Sequence, residues 1–148
     1  MLGEGRIRTN TRTAAAGLAA LAALTVGLGT AGATAGRSQA PSLVGVVLTE
    51  WKLVPSSSSV RAGKVTFRVA NRGTIAHELV VLRTDRRPGA LAVKQARAVE
   101  TGFKGKLANI APGKVRSLTL SLKPGKYVLI CNLLGHYKAG QYAALRVR

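Results

Sequence analysis

Two histidines, one cysteine and one glutamine are the residues of this chain whose types and spacing allow redox chemistry. Cys131, His136 and Gln141 lie in a single stretch, Cys131-Asn132-Leu133-Leu134-Gly135-His136-Tyr137-Lys138-Ala139-Gly140-Gln141, with four residues between each successive pair. A loop that returns on itself with this spacing can aim a thiolate, an imidazole and an amide oxygen at one point. Soft sulfur suits Cu(I) and imidazole suits Cu(II), and a His₂Cys set with a weak fourth donor is what a copper redox site requires. The second histidine can only be His77, since the chain holds two histidines in all.

These residues need strands to hold them. Lys126 to Ile130 reads as a strand that delivers Cys131, and Tyr142 to Val147 as one that leaves the loop. Tyr127, Leu129 and Cys131 alternate onto one face. Lys64 to Val69 also alternates, with Val65, Phe67 and Val69 inward, and after the turn Asn71-Arg72-Gly73 the segment Ile75 to Leu82 brings in His77. Leu43 to Leu53 is expected as a first strand with Glu50 and Lys52 facing out and Trp51 packing in the core or at its rim. Arg116 to Leu122 alternates once more, and Lys123-Pro124-Gly125 signals a tight turn. Residues 85–110 break the pattern, and Ala90 to Glu100 predicts a short helix or an irregular surface excursion. Many short strands separated by Pro/Gly turns indicate an all-β sandwich.

Residues 1–35 read as an export signal. Arg6, Arg8 and Arg12 precede an uncharged Ala/Leu/Gly-rich run that ends in small-residue cleavage sites, although the run is also long enough to serve as an uncleaved anchor. Residues 36–42 form a short linker and 43–148 the folded domain. A lone cysteine in an exported chain makes no internal disulfide, which leaves a free thiol or a metal ligand; an oxidising compartment favours the ligand.

The full chain carries a net charge of +18, and removing residues 1–36 leaves 20 basic and 4 acidic residues. Such a charge favours acidic protein partners and peripheral contact with anionic membrane surfaces. Nucleic acid is not expected as a partner, because the basic residues are spread along strands and turns and no nucleic-acid motif is present.

Taken together, the Val65-Thr66-Phe67 strand, the 71–77 turn and strand, the Pro124-Gly125 turn and the Cys-x₄-His-x₄-Gln loop resemble the cupredoxins, in particular exported bacterial single-domain blue-copper proteins of plastocyanin and azurin type. The resemblance spans about Leu43 to Val147. It implies a Greek-key β-sandwich with one type 1 copper ion near one end, held by His77, Cys131 and His136. Gln141 stands where most of these proteins carry methionine, a position that glutamine fills in some plant members. Two further departures are Glu78, where relatives place a small polar residue that ties the ligand loops together, and Leu134, where proline is common. Asn132 or backbone groups are the expected substitutes for that tie.

The functional expectation is an exported, periplasmic or extracellular, monomeric electron carrier rather than an enzyme. With both histidines committed to one ion, this chain has no imidazole left for a second copper site, and one cysteine cannot bridge a binuclear centre. His136 is the expected electron exit, through an apolar patch supplied by Leu133, Leu134 and Tyr137. The alternative is a copper-binding protein for scavenging or delivery.

Overall fold

The computed structural model describes residues 40–148. The expected export signal, and the linker as far as residue 39, lie outside them. Eleven strands follow in chain order: β1 (Ser42–Thr49), β2 (Lys52–Pro55), β3 (Ser59–Val60), β4 (Gly63–Asn71), β5 (His77–Arg83), β6 (Val93–Lys94), β7 (Arg97–Ala98), β8 (Phe103–Ile110), β9 (Val115–Leu122), β10 (Gly125–Ile130) and β11 (Tyr142–Val147). One sheet has the order β2-β1-β4-β9 and the other β3-β11-β10-β5-β8, while β6 and β7 form a separate hairpin. Most neighbours are antiparallel, but β1 pairs with β4 and β3 with β11 in parallel, so both sheets are mixed.

Alternation along the strands builds the core. Val44, Val46 and Leu48 of β1, Val65, Phe67 and Val69 of β4, Leu79 and Val81 of β5, and Tyr127 and Leu129 of β10 are all buried between the sheets. Burial of one such side chain contributes about 1.5–3 kcal/mol. β5 is buried on both faces: its outward residues Val80 and Leu82 pack with Val128, Ile130, Leu91, Ala98 and Tyr137 in a second apolar cluster. The 85–101 excursion therefore acts as a cover over the outer face of the second sheet.

One local expectation is corrected, and for residues 90–100 the irregular excursion is the alternative that holds. Residues 43–53 are not one strand but two, joined by a tight turn at Glu50 and Trp51, with Thr49 opposite Lys52. Trp51 sits at φ 64°, a conformation that breaks a strand and that a bulky residue rarely adopts. Residues 90–100 do not form a helix. A 3₁₀ turn at Pro88–Ala90 leads into the β6–β7 hairpin, whose two turn residues Gln95 and Ala96 both have positive φ. That is the backbone a two-residue hairpin turn needs. Within this segment Leu91 and Ala98 are buried and Val93 is exposed. Phe103–Ile110 forms the edge strand β8.

Candidate metal centre

His77 is the first residue of β5, and Cys131 follows the last residue of β10. β5 and β10 are adjacent and antiparallel, so the start of one and the end of the other share one pole of the second sheet. At His77 the β5–β8 ladder slips by one residue, with His77 opposite Ile110 but Leu79 opposite Leu107. A bulge of this kind re-aims the side chains beside it.

The 131–141 loop is closed by its own backbone. The Cys131 N–H donates to the Gln141 carbonyl at 3.0 Å and the Gln141 N–H to the His136 carbonyl at 3.2 Å. Gly135 and Gly140 take positive φ values of 81° and 104°, which lets the chain return without a proline. Leu134, 65 % exposed, therefore costs the loop little order.

The structure brings all four candidate residues together. Cys131 Sγ lies 3.8 Å from His77 Nδ1 and 3.4 Å from His136 Nδ1. Donors about 2.0–2.3 Å from a shared ion stand roughly 3.5–4 Å apart in a triangle, so both sulfur–nitrogen distances are already close to that spacing. Gln141 Oε1 lies 3.0 Å from His136 Nδ1. The Gln141 amide nitrogen donates to the Thr49 carbonyl at 2.7 Å and lies 3.1 Å from His77 Nδ1, while the oxygen faces His136. His77, Cys131 and Gln141 are fully buried, and His136 is 8 % exposed.

Burial pushes the Cys131 thiol above its ordinary range, against the N–H groups of Leu133 and Glu78 that favour its thiolate. His77 is pushed down, first by burial and then by His136, with Glu50 pulling the other way. In the metal-free protein burial therefore favours the neutral forms of Cys131 and His77. A thiol that gives up its proton only to a cation, beside a His77 ring whose proton burial loosens, suits metal binding.

The tie between the two ligand segments comes from backbone, and Glu78 contributes it through its N–H, which donates to Cys131 Sγ at 3.4 Å. The Glu78 carboxylate points away and pairs with Lys106 at 3.0 Å. Asn132, one expected substitute, braces a different junction. Its side chain accepts from the Ala98 N–H and donates to the Ala98 carbonyl and the Glu100 carboxylate, fixing the β6–β7 hairpin to the loop. Tyr137 is not part of an exposed patch either: it is 3 % exposed, and its hydroxyl donates to the Pro88 carbonyl and accepts from the Leu91 N–H.

Three residues at the centre are legible in the sequence only as packing, outward-facing or turn residues. Trp51, half exposed, sets its ring edge-on to His136 with centroids 5.2 Å apart. That contact accounts for a tryptophan held at positive φ at a hairpin tip, a kind of local strain that gathers at functional sites. Asn71, fully buried, donates to the Ile75 and Ile110 carbonyls and accepts from the Gly73 N–H, so it shapes the turn that enters His77. Glu50 accepts from the N–H groups of Thr74 and Ile75 and from the Thr74 hydroxyl, and these hold its carboxyl at about 2. The legible signal was thin: a turn-type asparagine, and an acid in a chain that has few.

No family model matches the chain. Among solved structures, reduced auracyanin from Roseiflexus castenholzii is similar with a TM-score of 0.58 and 19 % identity, covering 74 % of this chain and 99 % of its own. Auracyanin A from Chloroflexus aurantiacus, a "blue" copper protein, is similar with a TM-score of 0.53 and 18 % identity over 74 % of this chain and all of its own. At such identities the likeness establishes the fold. In sequence, the iron uptake system component EfeO of Escherichia coli strain K12 is 30 % identical over 95 residues, which cover 64 % of this chain and 21 % of EfeO. The chain thus matches about a fifth of that longer protein.

Proposed function

We propose that this chain, which has the cupredoxin fold, is an exported one-electron carrier with a single type 1 copper ion held by His77 Nδ1, Cys131 Sγ and His136 Nδ1, and with Gln141 Oε1 as the weak axial donor. The observation that carries the reading is the convergence of His77, Cys131 and His136 in a buried cluster whose donor atoms all lie within 4.8 Å of one another. Copper, when bound to such a set, supplies exchange of one electron between Cu(I) and Cu(II).

The chain's own part is to hold the donors still. The Glu78 N–H fixes the sulfur, the closed 131–141 loop fixes His136, and the Thr49 carbonyl fixes the Gln141 amide. Donors anchored in this way have little room to rearrange when the charge at their centre changes. His136 is the least buried of the four and lies behind the exposed Trp51. The apolar surface a partner would meet is thus assigned to Trp51 and Leu134. Small, weakly held contacts suit a carrier that must release its partner after each electron. The positive charge of the chain favours an acidic partner.

The likeness to an iron uptake component favours one second reading, in which the same residues scavenge or hand on copper. Voltammetry of the copper-loaded protein, paired with a challenge by a Cu(I) chelator, separates the two. A carrier gives a reversible wave and keeps its metal. Rapid surrender of copper without a reversible wave supports delivery and overturns the carrier reading.

A further inference from the structure

The two nitrogens of His77 have different surroundings. Nδ1 faces the cluster, 3.8 Å from Cys131 Sγ and 3.1 Å from the Gln141 amide nitrogen. Nε2 lies on the other side of the ring, buried and without a hydrogen-bond partner among the described residues. The group set against it is Glu50, whose Oε1 stands 3.6 Å away. Glu50 reaches this place from the β1–β2 turn and is pinned there by Thr74 and Ile75, all of whose bonds fall on the same Oε1. It fills a notch that Gly73 leaves open, where a β-carbon would collide with the carboxylate.

We infer that Glu50 is the positioning residue of His77: it faces the Nε2–H side of the ring, fixes the tautomer that frees Nδ1 for a metal, and lends its negative charge to the centre. The inference rests on the metal-centre reading above. A neutral imidazole carries one N–H, so a ligating Nδ1 places the proton on Nε2. A buried N–H needs an acceptor, and a carboxylate is the one that most raises the basicity of a ligating histidine. At 3.6 Å the contact is electrostatic rather than a hydrogen bond. It still orients the ring dipole, and it favours the more positive oxidation state of whatever ion the ring holds.

Glu50→Gln separates the charge from the scaffold, because the amide Oε1 can still accept from Thr74 and Ile75. Asp85→Asn is the control: Asp85 is almost fully exposed and lies two residues past the far end of β5. Three measurements are needed on wild type and both variants: zinc affinity by chelator competition, melting of the metal-free protein, and reduction potential of the copper form. Glu50→Gln is expected to weaken zinc binding by about 10- to 100-fold and to raise the potential, with the metal-free melting curve unchanged. Asp85→Asn, which removes only an exposed pairing with Lys126, is expected to leave zinc affinity and potential unchanged. Zinc affinity and potential equal to wild type in Glu50→Gln overturn the inference. So does a lowered melting point with an unmoved potential, which marks a purely structural role. A wild-type protein that takes up copper without thiolate colour removes the metal-centre reading instead, and this inference with it.

Discussion

At the scale of single residues, the thiol and the amide carry the account. Cys131 is held protonated by burial, so taking up a metal ion must release one proton. Because its folded-state pKa is raised, the thiol stays protonated through neutral pH, and each rise in pH lowers the work of removing that proton. Apparent zinc affinity should therefore climb about tenfold per pH unit over about pH 7 to 8.5. Zinc titrations across that range check it, and a flat profile contradicts a thiol ligand. Gln141 offers a harder donor than a thioether, which favours Cu(II). Gln141→Met should accordingly raise the reduction potential, and an unchanged potential in that variant rules out axial ligation. The Cys-x₄-His-x₄-Gln spacing made three of these residues legible in the sequence. His77 was legible by the scarcity of histidines and by the turn that enters its strand, while the roles of Glu50 and Trp51 were not, because they come from a turn that brings distant residues into contact.

At the scale of elements, the strands were readable wherever one face is buried. Val65, Phe67 and Val69 alternate in sequence and in burial alike. The misreadings fall where contacts from elsewhere in the chain override local preference. Residues 90–100 are rich in helix formers, yet Asn132 claims both the N–H and the carbonyl of Ala98 and holds the segment as a hairpin. The 50–51 turn interrupts a run of strand-forming residues without Gly or Pro to announce it. Asn71 braces the turn into β5 from a fully buried position. Asn71→Ala should cost about 2–3 kcal/mol, since it leaves the Ile110 carbonyl and its neighbours without partners. Urea unfolding of the metal-free protein measures this, and a loss below about 0.5 kcal/mol would show the turn to be held by other means.

At the scale of the whole molecule, charge is the dominant feature. The chain carries 23 basic residues against 5 acidic ones, and a field of that sign draws in acidic partners from beyond contact range. Reaction with an acidic redox partner should slow as ionic strength rises, because screening shortens the reach of the field to about 8 Å at physiological salt. A rate indifferent to salt removes steering from the account. Basic residues also gather away from the metal pole: Lys126 and Arg146 lie directly opposite one another on β10 and β11, beside Arg86 and Arg87. Like charges placed so oppose folding slightly.

All three scales depend on His77, Cys131 and His136 sharing one copper ion. The visible absorption spectrum after addition of one equivalent of Cu(II), recorded on the wild-type chain and on Cys131→Ser, tests that directly. An intense thiolate-to-copper band that saturates at one ion per chain and vanishes in Cys131→Ser is the predicted result. Persistence of the same band in Cys131→Ser would contradict the account, as would a wild-type protein that binds Cu(II) with no such band.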